Sequence, residues 1–327
     1  MKPVFAITMG DPYGIGPEII LKSLILHPDL REVCIPVLYG DEQTLQRTAK
    51  FLNFDINIKT ITTPELVTDD SSYLPCYDIK PLVFKPPIGR ICPEGGQHAY
   101  QCIQQAIEAA LQKKIQAIVT APLHKESMRL AGVPYRDHTE ILTRLTGSTN
   151  TMTLFVTRTL RIFFYTRHIP LSAVAASLSV NKLVGSLQDC NRYLKQIGFE
   201  QPRLALAGLN PHAGDQGLFG REEIEILTPA VKKACQTGVR VEGPVPADSV
   251  FHLAKEGKYD AVLSLYHDQG HIAAKTYDFQ RTVSLTLGLP FLRTSVDHGT
   301  AFDIAGQGIA DETSMVEAIL AAHKYYW

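Results

Sequence analysis

The sequence lacks an excess of charge of either sign. Its formal net charge is −1, whereas nucleic-acid-binding domains usually carry a basic face. It also lacks any apolar run near the roughly 20 residues that a transmembrane helix needs. The opening segment, residues 1–10, is too short an apolar run for a signal peptide. We therefore expect neither nucleic acid nor a membrane as a partner.

Paired cysteines are missing as well. No two cysteines have Cys-x-x-Cys spacing, so neither a structural zinc site nor a redox motif is indicated. A chain of this length needs no disulfides to bury a core, and scattered thiols are typical of the cytosol. We predict a cytoplasmic protein. The six cysteines are Cys34, Cys76, Cys92, Cys102, Cys190 and Cys235.

Strand-like apolar runs alternate with helical segments along the chain, without an internal repeat or a flexible linker. This alternation is typical of an α/β protein, and 327 residues suit two lobes. We predict a first lobe at residues 1–135 plus 300–327 and a second at 136–299, with a cleft between them. Residues 51–92 are irregular and predict a surface segment with one or two strands.

A glycine-rich loop, residues 10–18, follows the first predicted strand, Val4–Met9. A strand, a glycine loop and a helix of this kind either hold a phosphate or form a tight turn. The dinucleotide fingerprint G-x-G-x-x-G fails because Ile19 occupies the third glycine position. Asp41, after the next strand, resembles an acidic ribose ligand, but the glycine mismatch argues against that role.

Three histidines, His168, His212 and His267, each follow a predicted strand. Ligands of α/β sheets bind beyond the carboxyl ends of strands. Neutral imidazoles are good ligands for zinc and other divalent transition metals, and three protein ligands leave a position open for substrate. Asp248 and Asp268 are candidates to orient these rings. Taken singly, each histidine is more often a packed or capping residue, so the metal site rests on the three together.

Lys275 and Arg293 are candidates for binding a phosphate or carboxylate. An equally good interpretation is that both side chains form salt bridges on a solvent-exposed face. His138 and Thr139 add further hydrogen-bonding groups, although Asp137 or Thr139 as a helix cap would explain that segment equally well. A metal beside an anion site favours a small phosphorylated hydroxy acid. The metal would stabilise an alkoxide as hydride leaves and an enolate as carbon dioxide leaves. Metal-assisted hydrolysis stays open on this evidence.

Ordered segments over nearly the whole chain resemble the 4-hydroxythreonine-4-phosphate dehydrogenase (PdxA) family. These segments are Met9-Gly-Asp-Pro12, Gly14-Ile-Gly-Pro-Glu18, Thr120-Ala-Pro-Leu-His-Lys125, Asp137-His-Thr-Glu140, Thr166-Arg-His-Ile-Pro-Leu171, Leu209-Asn-Pro-His-Ala-Gly214, Gly243-Pro-Val-Pro-Ala-Asp248, Tyr266-His-Asp-Gln-Gly270, Thr286-Leu-Gly-Leu-Pro290 and Asp297-His-Gly-Thr300.

The resemblance implies a two-domain α/β/α fold of the isocitrate/isopropylmalate-dehydrogenase type, with the active site in the interdomain cleft at a dimer interface. It implies a homodimer whose metal site draws histidines from both subunits, and it makes His168, His212 and His267 the metal ligands. The implied cofactors are NAD or NADP and one divalent ion, Zn, Mg, Mn or Co. The implied reaction oxidises a secondary alcohol to a β-keto acid, which loses carbon dioxide.

The resemblance also implies the substrate contacts, which are His138, Thr139, Lys275, Ser284 and Arg293. For the general base it leaves His138, Lys125 and water open. It assigns no cofactor contacts.

Two departures from the family pattern bear on the substrate. Ser284 stands where members acting in pyridoxal phosphate synthesis usually have asparagine, and His271 stands where they tend to have leucine. Serine shortens a polar arm and removes an amide that could bind a C2 substituent. The pattern resembles a branch that oxidises 4-phospho-D-threonate or 4-phospho-D-erythronate to dihydroxyacetone phosphate. The vitamin-route enzyme is the near alternative; a metal-dependent phosphohydrolase and a non-catalytic binding protein for phosphorylated sugar acids are the distant ones.

Overall fold

The computed structural model describes residues 2–79 and 88–327. Met1 and residues 80–87 lie outside the described residues, so part of the predicted irregular segment 51–92 does too. The chain divides into two compact units. Unit 1 comprises Met1–Thr151 and Val283–Trp327, and unit 2 comprises Met152–Thr282.

Both units alternate strands with helices. The strands are β1 (Val4–Thr8), β2 (Ile35–Gly40), β3 (Asn57–Ile61), β4 (Tyr73–Asp78), β5 (Ala117–Thr120), β6 (Met152–Thr157), β7 (Leu160–Phe164), β8 (Arg203–Ala207), β9 (Arg240–Val245), β10 (Ala261–Ser264), β11 (Thr282–Leu287) and β12 (Leu292–Val296). The helices are α1 (Gly16–Leu26), α2 (Leu30–Val33), α3 (Glu42–Phe51), α4 (Pro93–Leu111), α5 (Lys125–Leu130), α6 (His138–Thr146), α7 (Val174–Ser177), α8 (Val180–Gln196), α9 (Thr228–Gln236), α10 (Ala247–Lys255), α11 (His267–Tyr277) and α12 (Thr313–Tyr325).

The sheet of unit 1 has the order β3-β4-β2-β1-β5-β12-β11. All neighbours are parallel except β11 and β12, which are antiparallel. Strands β1, β2 and β5 are almost entirely buried, as their continuous apolar sequence predicts for strands covered on both faces. Their carboxyl ends lie at one edge of the sheet, which also receives the end of β12.

Helix α4 provides much of the apolar cover of unit 1. Its side chains Ile103, Ala106 and Ile107 recur at helical spacing and are buried. The same core contains Ile141 and Leu142 from α6. Helix α6 is well delimited, because Asp137 accepts a hydrogen bond from the Glu140 backbone N–H (2.9 Å) and Gly147 ends the helix with φ +66°. Asp137 is therefore the cap that one interpretation of this segment predicted.

The sheet of unit 2 has the order β6-β7-β10-β8-β9. Strands β6 and β7 form an antiparallel hairpin, and the pairs β7/β10, β10/β8 and β8/β9 are parallel. The core of this unit contains the aromatic residues Phe155, Phe164 and Tyr259. The loops that follow β7, β10 and β8 thus leave the same edge of three adjacent strands.

The two units begin and end at other residues than the predicted lobes. The prediction placed the boundaries at 136 and 300, whereas the structure places them at 152 and 283. Helix α6 stays with unit 1 because its apolar face packs in the core of α4. Strand β12 stays there because it pairs with β5 along four residues.

Some helices begin at other residues than the sequence predicts. His267 was predicted in a loop, but it is the first residue of α11. Helix α10 begins at Ala247 after Pro246, so Asp248 lies in its first turn. A π-helical turn, Glu223–Leu227, directly precedes α9. None of the helices in residues 2–79 and 88–327 combines the length and apolarity needed to cross a membrane.

Candidate active site

The three histidines predicted as metal ligands follow neighbouring strands of unit 2. His168 comes after β7, His267 after β10 and His212 after β8. These strands are adjacent and parallel, so the three segments leave the sheet at one edge. This is the edge at which α/β sheets bind their ligands. The arrangement follows from the alternation of apolar strand and polar loop in the sequence.

His267 presents a ring with one nitrogen already engaged. Its Nδ1 lies 2.5 Å from Oδ1 of Asp268, which leaves Nε2 for another partner. A histidine whose second nitrogen bonds a carboxylate is the usual form of a metal-ligating imidazole. The His168 ring lies nearby, with 5.9 Å between the two ring centroids. These features fit a divalent metal, although the roles of His168, His267 and Asp268 stay predictions.

His212 lies in an unusual backbone segment. Five consecutive residues, 212–216, have φ between +39° and +82°, and only Gly214 among them lacks a side chain. Left-handed backbone costs an L residue about 1–2 kcal/mol, so this turn needs support. The buried carboxylate of Glu223 accepts hydrogen bonds from the backbone N–H of Leu209 (2.8 Å) and Asn210 (2.7 Å). Strained backbone of this kind is concentrated at functional sites.

No three His, Cys, Asp or Glu side chains within residues 2–79 and 88–327 of one chain are grouped as a metal site. Asp248, predicted to orient an imidazole, is exposed in the first turn of α10. The structure brings His168, His267 and Asp268 together. The ligand set as a whole stays a prediction.

Lys275 lies on α11, two turns after His267. Its side chain is half-buried, and its ammonium group is 4.8 Å from the ring centroid of Phe279. A cation above an aromatic face is held in a preferred position without losing its charge. Lys275 belongs to unit 2 and Arg293 to unit 1, so the predicted anion-binding pair is divided between the units.

Arg293, on β12, is 5% exposed. Its guanidinium donates to Thr120 Oγ1 through Nε (3.1 Å) and Nη2 (2.7 Å) and to Thr286 Oγ1 through Nη1 (3.2 Å). Burial lowers its pKa to about 10, against the opposing effect of Asp137 and Asp297. The group is still a cation at neutral pH, and its direct partners in the described part of the chain are uncharged hydroxyls.

A patch of hydroxyl side chains surrounds this cation. Ser284 pairs with Ser295 and Thr286 with Arg293 across the antiparallel strands β11 and β12. Because side chains alternate along a strand, these four residues share one face of the sheet. Thr120 joins them, since its Oγ1 lies 3.0 Å from Ser295 Oγ. The face is buried yet polar, which is the composition of a binding surface rather than of a core.

His138, the first residue of α6, is a neutral imidazole in this environment. Burial, and then the charge of Arg293, hold its pKa well below the usual range. Its Nε2 is buried and has no hydrogen-bond partner within the described residues. A buried nitrogen without a partner is costly unless a ligand supplies one. His138 and Arg293 are thus close enough for the charge of Arg293 to act on the imidazole, and their joint role in substrate binding stays a prediction.

Thr139 and Lys125 differ in their burial. Thr139 is half-buried in the first turn of α6, and Lys125 is exposed as the first residue of α5. Both lie in unit 1 with His138. The charge of Lys125 also lowers the pKa of His138, as the smallest of the contributing causes.

The glycines of the loop at residues 10–18 allow close contact with neighbouring backbone. A Cβ at Gly10 would lie 2.2 Å from Pro122 O, and one at Gly16 would lie 2.2 Å from Met9 O. The tight-turn interpretation therefore accounts for these glycines. Asp41 caps α3 by accepting from the Thr44 N–H (2.9 Å) and is fully buried, which supports the argument against it as a ribose ligand.

A cleft of ≈ 250 Å³ opens beside this loop in unit 1. Its walls include Tyr13, Phe51 and Arg47, which are side chains suited to stacking on a base and attracting a phosphate. Its volume is below the 300–1,000 Å³ typical of whole ligand sites. The cleft is thus a candidate for one part of a nucleotide, and sequence reasoning had assigned no such contact.

Thr120, Thr286 and Glu223 are candidate functional residues that sequence reasoning missed. Thr120 and Thr286 bond Arg293, and Glu223 supports the His212 turn. The i, i+2 spacing of Ser284 with Thr286 and of Arg293 with Ser295 signals a polar strand face. Nothing in the sequence signals that Glu223 reaches back to a loop 13 residues earlier.

The chain is similar to known proteins over nearly its whole length. Residues 32–322 match the protein family described as "Pyridoxal phosphate biosynthetic protein PdxA". A protein of Symbiobacterium thermophilum named "Putative D-threonate 4-phosphate dehydrogenase" is 46% identical, and the match covers 99% of this chain and 97% of that protein. A crystal structure of 4-hydroxythreonine-4-phosphate dehydrogenase from Klebsiella pneumoniae is 41% identical with a TM-score of 0.91, over 99% of this chain and 98% of that one.

A more distant similarity concerns the fold alone. A β-decarboxylating dehydrogenase from Thermococcus kodakarensis is 15% identical with a TM-score of 0.50, over 99% of this chain and 83% of that one. The predicted α/β fold of the decarboxylating-dehydrogenase type is confirmed.

Proposed function

Because the chain belongs to the PdxA family and is a dehydrogenase of 4-phosphorylated hydroxy acids, we propose that its substrate is 4-phospho-D-threonate or its C2 epimer, 4-phospho-D-erythronate. Oxidation of the C3 hydroxyl by NAD gives NADH, a proton and a β-keto acid. Cleavage of the C1–C2 bond then releases carbon dioxide, and protonation of C2 gives dihydroxyacetone phosphate. NADP is the alternative acceptor.

The observation that carries this proposal is the environment of Arg293. The hydrogen-bond partners of this buried cation are hydroxyls, and the carboxylates of Asp137 and Asp297 act on its charge without a direct hydrogen bond, so the guanidinium is suited to bind a phosphate or carboxylate. The neighbouring hydroxyls of Ser284 and Ser295 suit a substrate rich in hydroxyl groups. We assign Arg293, His138, Thr139, Ser284 and Lys275 to substrate binding.

His168, His212 and His267 are the proposed ligands of one divalent ion, Zn, Mg, Mn or Co. The ion would polarise the substrate oxygen at the carbon being oxidised and the carbonyl oxygen during decarboxylation. Support comes from the common sheet edge of the three histidines and from the engaged Nδ1 of His267. Following the family pattern, we propose a homodimer in which two subunits supply these ligands, and a cytoplasmic enzyme.

His138 is the favoured general base. A histidine has to be unprotonated before it accepts a proton, and burial favours the neutral form of this imidazole. Its Nε2 is the acceptor without a partner described above. The exposed Lys125 would first have to lose a proton. We therefore propose that His138 Nε2 accepts the proton of the oxidised hydroxyl, with Lys125 and water as the alternatives.

Steady-state kinetics with two substrates test the proposal. We expect kcat/KM to be at least about 10-fold higher for 4-phospho-D-threonate or 4-phospho-D-erythronate than for 4-phosphohydroxythreonine, which carries an amino group at C2. Ser284→Asn should reduce this ratio of kcat/KM values, and Ser71→Asn, which changes an exposed serine, is the matched control. A strong preference for the amino substrate would establish the vitamin-route activity instead.

A metal-dependent phosphohydrolase is separated by its products. The proposed enzyme forms NADH and carbon dioxide while the phosphate ester stays intact. Release of inorganic phosphate without NADH would identify a hydrolase. Tight binding of the substrate with neither product would identify a binding protein.

A further inference from the structure

The side chain of His271 stacks on the proposed metal ligand His267. Their ring centroids are 3.7 Å apart and the ring planes differ by 12°. Both residues lie on α11 four positions apart, so they share one face of the helix. Sequence reasoning had noted His271 only as a departure from the family pattern.

His271 is itself held by two phenylalanines. Its ring centroid is 4.3 Å from that of Phe155 on β6 and 4.8 Å from that of Phe164 on β7. Phe155 and Phe164 also contact each other, with 5.1 Å between centroids. These edge-on and tilted contacts are favourable geometries for aromatic rings. The ring of His271 is thus wedged between two buried strands and His267.

Gly270 makes this wedge possible. A Cβ at position 270 would lie 2.6 Å from Phe164 Cε1 and 2.8 Å from Ile162 Cγ2. Only glycine allows the first turns of α11 to approach β7 this closely. The close approach brings the next residue, His271, against the phenylalanine pair.

The stacked geometry argues against His271 as a ligand of the same ion. A ligating nitrogen points along the plane of its ring, at about 2.0–2.1 Å from zinc. Two nearly parallel rings 3.7 Å apart direct their nitrogens side by side, not toward one point. The remaining role for His271 is to fix the plane of the His267 ring, while Asp268 fixes its Nδ1.

We propose that His271 is a positioning residue for the divalent metal site: through its stack on His267 it holds that imidazole in the orientation that binds the ion. This inference rests on the proposed function, because it requires His267 to be a ligand. In this chain, in which histidine replaces the leucine that vitamin-route members tend to have, it predicts that ring shape, rather than a ring nitrogen, is what position 271 supplies.

Metal affinity of the purified enzyme tests the inference. The metal-free protein is titrated with Co²⁺ and with Zn²⁺ in competition with a chromophoric chelator. His271→Leu and His271→Gln, which both lack a ring, should weaken affinity about 10-fold or more, the usual effect of removing a residue that orients a ligand. His271→Phe should stay within about 3-fold of the parent. His252→Leu, an exposed histidine of α10, is the matched control.

The Co²⁺ absorption spectrum separates positioning from ligation. With His271→Phe the visible bands should keep their positions, because the ligand set is unchanged. Displaced bands would make His271 a ligand and overturn the inference. Affinity of His271→Phe as low as that of His271→Leu would also overturn it, since the stack would then not be the cause.

His267→Ala distinguishes failure of the inference from failure of the proposed function. Loss of metal binding in His267→Ala, with parental affinity in both His271→Leu and His271→Gln, would overturn the positioning role alone. Parental affinity in His267→Ala would remove the metal assignment and this inference with it. Thermal unfolding of the metal-free variants shows whether any change in affinity follows from a general loss of stability.

Discussion

At the scale of single residues, the site combines charges and hydroxyls that ordinary protein cores avoid. Arg293 is buried among threonine and serine hydroxyls, and His138 carries a buried nitrogen without a partner in the described part of the chain. Both features are costly in an empty protein and favourable once an anion and a hydroxyl group are bound. The residues are thus organised for the bound state.

Replacing Arg293 should weaken substrate binding more than turnover. Arg293→Met keeps much of the side-chain volume and removes the charge, so we expect KM to rise about 10–100-fold, the equivalent of about 1.5–3 kcal/mol for a charged hydrogen bond. Arg203→Met, which removes a surface arginine paired with Asp260, is the control. An unchanged KM in a folded variant would show that the anion binds elsewhere.

Individual residues drew attention where their chemistry is unusual for their position. His138, Arg293 and the three histidines that follow β7, β8 and β10 were proposed as site residues from residue type and from the resemblance to the family, and their roles stay predictions. Thr120 was not, because a threonine at the end of a buried strand has no distinguishing local pattern. Its contact with Arg293 spans 173 residues and exists only in the folded sheet.

At the scale of elements, the strands were predicted more accurately than the segments that follow them. Strands β1, β7 and β10 are easily recognised in the sequence, because a strand that is buried on both faces is a nearly continuous apolar run. The start of α11 was missed because Tyr266 offers no cap and the first turn, His-Asp-Gln-Gly, has weak helix formers. Packing of α11 against β7 stabilises this first turn, which has low intrinsic helix propensity.

The turn that carries His212 should depend on Glu223. In Glu223→Gln, the new amide group would place its N–H against the Asn210 side-chain amide, which now donates to Oε2 at 2.8 Å. We expect the free energy of unfolding to fall by about 1–3 kcal/mol, measured by urea denaturation, and metal affinity to fall with it.

The control for this turn is Glu225→Gln, an exposed residue of the same π-helical turn whose carboxylate pairs with Arg221. Its effect should stay below about 0.5 kcal/mol, as for most surface ion pairs. Equal effects of the two variants would contradict a specific role for Glu223.

At the scale of the whole molecule, stability should depend on the protonation of Asp11. This carboxyl is fully buried, and burial raises its pKa to about 6 from 3.8. The folded protein therefore binds a proton that the unfolded chain has lost between pH 4 and 6. Raising the pH through this window removes that proton from the folded state, so stability falls by up to about 3 kcal/mol and then levels off.

Asp11→Asn should lack this loss. Urea unfolding of both proteins at a series of pH values between about 4 and 7.5 measures it, with other titrations common to the two. As the pH rises to about 6, the free energy of unfolding of the parent should fall relative to that of Asp11→Asn. Parallel curves would show that Asp11 does not titrate in that range.

A site shared between subunits predicts complementation. If two of the histidines come from one subunit and the third from its partner, then pairwise mixtures of His168→Ala, His212→Ala and His267→Ala differ. Two of the three mixtures should regain activity, up to about one quarter of the parental value for random assortment of two chains, because half the dimers then contain one intact site. No recovery in any mixture, with subunit exchange demonstrated, would place all ligands in one chain.

The positive φ angles of residues 212–216 set stability against function at position 212, because the backbone favours glycine whereas the proposed metal site needs histidine. Glycine tolerates φ +53° without steric cost, so His212→Gly should raise the melting temperature while it abolishes turnover. An enzyme that keeps histidine there accepts lower thermostability in exchange for catalysis, and a search for heat-resistant variants alone would tend to select inactive protein.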